Sequence, residues 1–283
     1  MAITVNTNIP SLTAQKSMNN ATTRMNTAME RMTTGLKINS SKDDAAGMAV
    51  ANKMNYKIGS LGVAQDNAQM GVSMLDTAEG VLGVINDNLT RIRDLTEQAA
   101  NGTYGDDAMK AIQTEVQARV NEITRLANSS EFNAKTLFDG SIANGIKLQV
   151  GITKDTDKST IELDAKLFAD AKASTILGNK VKTLNNVYDS DEHARAFLED
   201  IDKALADITD RTTQIGGYQQ RISSAMEAAG VMQTNLTSAK SLIEDADIAE
   251  ESSNYIKQQI LQQTSASLLA TANQAPSIAL NLV

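Results

Sequence analysis

Two adjacent carboxylates are the first residues that could do chemistry. Asp43 and Asp44 lie in MTTGLKINSSKDDAAG, residues 32–47, after a glycine and two lysines. Paired carboxylates can divide the roles of general acid and base, or offer oxygen ligands to a hard cation. Either role needs partners, and no histidine, cysteine or glycine-rich phosphate loop stands nearby in sequence. The single histidine, His193, sits in DSDEHARAF, an acidic first turn of a helix, and a histidine-based zinc site needs more ligands than that. DTDKSTIELDAK (155–166) begins like a calcium loop but carries Thr160 where the sixth-position glycine is required and Lys166 where the twelfth-position glutamate is required. No nucleotide-binding glycine signature occurs, and the lack of cysteine removes disulfides, thiolate ligands and a cysteine nucleophile. Asn-x-Ser/Thr triplets such as NAT at 20–22 are what an Asn- and Thr-rich composition yields by chance. The sequence therefore offers no catalytic, metal or cofactor-binding residue, and no cofactor is expected.

The same acids make sense as part of a joint. Gly35 suits the left-handed end of one helix, and Asn39 and Ser40 suit a turn. Asp43 or Asp44 suits the cap of the next helix, and Gly47 lies in its first turn. A joint at Gly35, Asn39, Asp43, Asp44 and Gly47 needs helices on both sides, and the chain supplies them. Pro10 and Pro276 are the only prolines, so nothing between them forbids long helices. Aromatics are 3% of the chain and Trp is absent, so the apolar 41% is mostly small aliphatic side chains and Met, suited to closely packed helices.

The clearest pattern starts at Ala194 and alternates steps of three and four to Ala246. Fifteen of its sixteen positions are apolar or Tyr, with Arg211 the exception. This is a coiled-coil seam through Phe197, Ile201, Ile208, Ile215, Ile222, Met232, Leu236 and Ile243. As one helix it would be roughly 80 Å long. Leu75, Ala78, Leu82, Ile85, Leu89 and Ile92 form a second stripe, in a helix starting near Asp44 and stopping at ANGTYG (100–105). A third runs from Met109 through Ile112, Val116, Val120 and Ile123 to Ala127, ending near ANSSEFN. A fourth runs from Ala14 through Met18, Ala21, Met25, Ala28 and Met32 to Leu36. GIKLQVG (145–151) and STIELDA (159–165) alternate apolar and polar residues across a polar turn and read as a β-hairpin, while LGNKVKTLNN (177–186) reads as loop. The expected fold is mainly α: an elongated antiparallel helical hairpin and coiled-coil bundle with a small β-hairpin insert.

Net charge is −8, with no basic face for nucleic acid, and no run of about 18 apolar residues could span a membrane. MAITVNTNIPSL lacks the basic and apolar regions of a secretory signal peptide. Residues 1–40 carry Lys16, Arg24, Arg31 and Lys37 against Glu30, whereas 243–283 carry five acids against Lys257. Opposite charges favour pairing of the two ends and help set its register. Alone, the terminal stripes bury too little to offset the entropy of ordering, so assembly is expected to complete their folding.

GLKINSSKDDAAGMAVANKM (35–54) closely resembles the N-terminal signature of bacterial flagellin. NDNLTRIRDLTEQAANGT (86–103) and IQTEVQARVNEITRLANSSEFNAKTLFDG (112–140) resemble the segments that follow it there. SLIEDADIAEESSNYIKQQILQQTSASLLATANQAP (241–276) resembles the C-terminal signature. The resemblance implies a filament subunit, exported unfolded and assembled at the distal tip, with the termini paired as a coiled coil that lines a channel. It implies a division into 1–42 and 243–283 as the inner coiled coil, 43–140 and 187–242 as the outer core, and 141–186 as hairpin and short variable loop. Only about 45 residues separate LFDG from NNVYD, so the large outer domains of many flagellins are expected to be missing. Implied partners are further copies, an export chaperone on the C-terminal segment, a filament cap and hook-junction proteins. By the same resemblance Arg91, Leu95 and Glu115 match a surface recognised by a Toll-like receptor. Thr90 stands where many activating flagellins carry Gln, and SIALNLV ends without a basic residue. The location implied is secreted, in an extracellular or periplasmic filament. Alternatives are a hook–filament junction or minor accessory flagellin, and an unrelated coiled-coil adhesin or signalling bundle. The metalloprotease insert of some flagellins does not fit a chain with one histidine.

Overall fold

The computed structural model describes residues 7–280, and their side chains except at positions 156, 179, 185 and 275–280. The N-terminal residues 1–6 and the side chains of the final SIALNLV, on which two sequence readings rest, lie outside the described set. The elements in chain order are α1 (Ile9–Thr34), α2 (Ala45–Ala99), α3 (Asp106–Ser129), β1 (Glu131–Phe132), β2 (Lys135–Thr136) and β3 (Ile146–Gln149). They continue with α4 (Thr156–Ser159), β4 (Thr160–Leu163), a 3₁₀ turn at Ala165–Phe168, α5 (Ala173–Ile176) and a 3₁₀ segment at Gly178–Thr183. The chain closes with α6 (Leu184–Val187), α7 (Asp191–Glu244) and α8 (Ile248–Leu280). No helix among the described residues is long and apolar enough to cross a membrane. The chain divides into two compact units, one of residues up to 58 with those from 234, the other of residues 59–233.

The 59–233 unit holds the apolar core. Leu75, Leu82, Ile85, Leu89 and Ile92 of α2 are fully buried, as are Val116 and Ile123 of α3. Phe197, Ile201, Ile208, Ile215 and Ile222 of α7 join them in one cluster. The stripes expected from sequence are these same residues, because a helix turning 3.6 residues per turn brings steps of three and four to one side. Burial then thins along α7: Ala229 is buried, Leu236 and Ile243 are half-buried, and Met232 is exposed. Arg211, the exception in the seam, is buried with them. Its guanidinium donates to the Ala169 carbonyl (2.8 Å) and pairs with Asp207 (2.6 Å), so the seam's one charge ties the chain after the hairpin to α7.

The hairpin forms where expected, β3 pairing antiparallel with β4 through Ile146–Leu163, Leu148–Ile161 and their neighbours. Two features differ from the sequence expectation. The stretch 177–186 is 3₁₀ and α6 rather than loop, and Val181, Leu184, Val187 and Tyr188 are buried. Its apolar residues repeat every three or four positions, over too short a run to stand out from noise. ANSSEFN does not simply end α3: β1 and β2 form a miniature hairpin across Asn133 and Ala134, both at positive φ (49° and 60°). Two-residue strands leave no alternation to read. The scarce aromatics gather here, Phe138 with Phe168 at 6.5 Å and Tyr188 edge-on to Phe197 at 6.4 Å.

A left-handed alanine carries a steric cost of about 1–2 kcal/mol that glycine avoids. Ala134→Gly is therefore expected to raise stability by about 0.5–1 kcal/mol once glycine's greater unfolded-state freedom is counted. A lower melting temperature for this variant would contradict the reading of the turn.

Candidate functional site

The Asp43–Asp44 pair divides its work between turn and cap. Asp43 Oδ2 accepts from the backbone N–H of Asn39 (3.2 Å) and Ser40 (3.0 Å) and from the Ser40 hydroxyl (3.1 Å). The bonds from Ser40 hold the Asp43 carboxyl below its ordinary pKa, as bonds to a charged form must. Asp44 Oδ1 accepts from the N–H of Ala46 (3.0 Å) and Gly47 (2.9 Å) and caps α2. A β-carbon at Gly47 would stand 2.4 Å from Asp44 Oδ2 and 2.7 Å from Ile38 Cδ1, so the capping side chain and Ile38 would both have to shift to admit one. Gly35 ends α1 at φ 74°, its N–H on the Arg31 carbonyl (2.8 Å). Asn39 donates its side-chain amide to the Leu36 carbonyl (3.3 Å). All five joint residues thus lie in one connection.

What sequence reading missed is the second strand of this joint. Lys37 N–H donates to the Glu244 carbonyl (2.6 Å), and Ala246 N–H donates to the Gly35 carbonyl (2.9 Å). Leu36 and Asp245 form an antiparallel bridge between them. The break between α7 and α8 therefore pairs, backbone to backbone, with the break between α1 and α2. Asp247 caps α8 through Ala249 N–H (2.8 Å) and Glu250 N–H (3.2 Å). EDAD at 244–247 carried the signal, since a second cap-forming Asp marks a helix restart.

Beyond the joint, α1 and α8 run antiparallel. Arg31 pairs with Glu251 (2.9 Å), Gln262 donates to Thr22 (2.9 Å), and Asn8 donates to the Ala272 carbonyl (2.7 Å). The buried positions repeat every seven residues on each helix: Ala14, Ala21 and Ala28 on α1, and Glu251, Gln258 and Ser265 on α8. Met18, Met25 and Met32 are half-buried. Other large apolar side chains lie outside: Ile9, Leu12 and Met29 on α1, and Ile248, Ile256, Ile260, Leu261 and Leu268 on α8 are all exposed, several by more than half. Thr13, Thr22, Thr23, Thr27, Thr33 and Thr34 return their hydroxyls to carbonyls four residues back, which satisfies them within a helix they would not otherwise favour.

Of the three further residues singled out by resemblance, Arg91 and Glu115 form an exposed ion pair between α2 and α3 (2.9 Å). Leu95 is buried in the core. His193 is exposed and pairs with Asp189 (2.6 Å). Among the described residues no group of three His, Asp or Glu side chains could hold a metal ion.

The model of the bacterial flagellin N-terminal helical region matches residues 5–143, and that of the C-terminal helical region matches 198–283. The chain belongs to the bacterial flagellin family. It is 34% identical over 278 residues to the flagellar filament 30.7 kDa core protein of Treponema maltophilum, covering 95% of each chain. It is 35% identical over 316 residues to a flagellin of Xenorhabdus nematophila, covering all of both. Its fold also matches a Vibrio parahaemolyticus structure described as a flagellar hook-associated protein, at 17% identity and TM-score 0.61, over 71% of this chain and 99% of that one. As a flagellin it is a structural subunit of the flagellar filament and not an enzyme, and it forms that filament with further copies of itself. Its short length agrees with the absence of a large variable domain.

Gly47→Ala forces Asp44 off the first turn and is expected to cost about 1–2 kcal/mol, the worth of a cap. Gly59→Ala, where a β-carbon meets nothing within 4 Å, is expected to stabilise by about 0.5–1 kcal/mol. Thermal unfolding followed by circular dichroism separates the two, and equal effects would remove the steric account.

Proposed function

We propose that polymerisation buries the outer faces of α1 and α8, and that these faces are the subunit's principal self-association surface. The observation that supports this is the make-up of the terminal pair, whose fully buried side chains are alanines and polar groups while most of its leucines and isoleucines are exposed. A helix pair of that kind leaves apolar area in water that only another molecule can cover. Each side chain such as Ile256 or Ile260 gains about 1.5–3 kcal/mol when fully buried. A repeated contact that does not close on itself builds a filament rather than a ring.

On this reading residues 1–42 and 243–283 form the channel-lining layer. Residues 43–140 and 187–242 form the outer core, 141–186 the hairpin and loop, and Gly35–Gly47 the connection between layers. The seam through Phe197, Ile201, Ile208, Ile215 and Ile222 holds the core together, and its continuation through Met232, Leu236 and Ile243 lies outside that cluster. The chain is exported unfolded and assembled at the distal tip, outside the cell body. An export chaperone occupies the C-terminal segment before assembly, and cap and hook-junction proteins flank the finished polymer. Similarity to a hook-associated fold supports a junction or minor accessory role equally well by fold, but the relatives near one-third identity are filament proteins. A Toll-like receptor would meet the exposed Arg91–Glu115 pair, with the buried Leu95 supporting it.

Two measurements test this. Purified chain added to short filament seeds is expected to extend them under negative-stain electron microscopy. Ile256→Asp with Ile260→Asp is expected to abolish extension while leaving the melting of the 59–233 unit unchanged, and limited proteolysis of the unassembled chain is expected to trim both ends first. Normal extension by the double variant would sink the surface assignment, and a closed oligomer of the parent chain would favour the junction role. For the receptor, Arg91→Ala is expected to weaken binding of the monomer at least tenfold, the loss of a hydrogen-bonded charge contact; unchanged binding would remove the contact.

A further inference from the structure

Three places in this chain set an Asn or Asp immediately before a glycine: Asn101–Gly102, Asp139–Gly140 and Asn144–Gly145. At such a pair the glycine nitrogen, having lost its proton to hydroxide, can bond to the side-chain Cγ, because no β-carbon crowds the approach. The Cγ–N bond of an asparagine amide then breaks, and ammonia leaves with a proton taken from water. Water opens the resulting succinimide at either carbonyl, giving aspartate or isoaspartate. The balance is asparagine plus water to a carboxylate residue plus ammonia, with no oxidation. Whether it happens depends on how freely the two residues can reach the ring geometry, and that is where the three sites part.

Asp139 is held against it. Its carboxylate accepts from the Thr136 hydroxyl (2.7 Å) and the Ser141 N–H (2.9 Å). The Ser141 side chain first, then the Thr136 hydroxyl and the Ser141 N–H, keep the group ionised, its pKa lowered to about 2, and an ionised carboxylate is a poor target for a nucleophile. Asn144 is exposed, but Gly145 is pinned. Its N–H donates to the Ile142 carbonyl (3.4 Å), its φ is +67°, and a β-carbon there would lie 2.2 Å from the Leu163 carbonyl oxygen, at the start of the β3–β4 register. Asn101 differs from both. It follows the last turn of α2, its side chain is exposed, and neither that side chain nor the Gly102 N–H makes a hydrogen bond among the described residues. The nearest atom to a β-carbon at Gly102 is Asp191 Oδ2, at 3.7 Å. The backbone bonds at this turn are from Asn101 N–H to the Gln98 carbonyl (3.1 Å) and from Tyr104 N–H to the Asn101 carbonyl (3.3 Å), and neither engages the Asn101 side chain or the Gly102 N–H.

We propose that Asn101 is a site of spontaneous deamidation, which converts the turn between α2 and α3 into an aspartyl or isoaspartyl turn as the protein ages. The new carboxylate sits at the C-terminal end of α2, where negative charge opposes the helix dipole. It adds to Asp106 and Asp107, which follow in the chain, and to Asp191, the group beside Gly102. Arg195 is the cation at this corner, already donating to the Ala100 carbonyl (3.1 and 3.3 Å) and pairing with Asp191 (3.0 Å). The modification therefore makes an acidic corner more acidic. In the isoaspartyl form it also lengthens the main chain of the α2–α3 connection by one methylene.

The test is peptide mapping by mass spectrometry of the full-length chain held in mildly alkaline buffer, following the change from amide to acid. The Asn101 peptide is expected to convert several-fold faster than the Asn144 peptide in the folded chain, and the two rates are expected to converge in denaturant. Gly102→Ala is expected to slow conversion at Asn101 several-fold and to leave Asn144 unchanged. Equal rates at the two sites in the folded chain, faster conversion at Asn144, or a rate difference that persists in denaturant would each overturn the proposal.

Discussion

Two backbone hydrogen bonds, Lys37 to Glu244 and Ala246 to Gly35, fix where the beginning and the end of this chain meet. Each is worth only about 0.5–1.5 kcal/mol net, yet both are directional, and together they allow a single register. That register carries into the helices beyond, where Arg31 faces Glu251 and Thr22 faces Gln262. A slip of one position would put Arg31 out of reach of a carboxylate that is itself buried. The left-handed Gly35 and the capped Asp247 are what let two long helical stretches stop at the same point and make the pairing possible.

The chain contains two kinds of helix contact. In the 59–233 unit, Leu, Ile, Val and Phe side chains are fully removed from water, and each buried methylene contributes about 0.8 kcal/mol. That unit has a continuous apolar core of its own. Between α1 and α8 the buried side chains are alanines, a serine, a glutamine and a glutamate, which bring backbones close but remove little apolar area. Met18, Met25 and Met32 are half-buried, and most of the leucines and isoleucines stand on the outside. On the proposed reading, the second kind of contact is the one that further copies complete.

Charged and polar groups inside the core act as fasteners rather than as chemistry. Arg211 spends its hydrogen bonds on the Ala169 carbonyl and Asp207, and Thr96 meets the Tyr188 hydroxyl at 2.7 Å. Burial pushes the Tyr188 phenol up to about 12, so it stays neutral and serves as a hydrogen-bonding partner only. The carboxylates that first suggested catalysis are likewise spent, Asp43 on a turn and Asp44 on a helix end.

The stripes on α1, α2, α3 and α7 were legible in the amino-acid order because helical periodicity is local and repeats many times. The β3–β4 hairpin was legible through alternation over several residues, and the joint acids through their capping chemistry. The β1–β2 turn, α6 and the 3₁₀ segments were not, since runs of a few residues carry too little periodicity. Other features were beyond any linear reading. The alternation of α7 continues evenly past Ile222, yet Met232 is exposed, because burial depends on what lies opposite. Arg91 and Glu115 stand 24 positions apart in sequence, and their pairing exists only because α2 and α3 fold together. The sequence by itself determined which residues become helix and which side of each helix is apolar. Tertiary structure alone decided which apolar sides are covered and which strand of the second joint meets the first, because coverage and pairing depend on contacts between residues far apart in the chain, as Thr22 and Gln262 are.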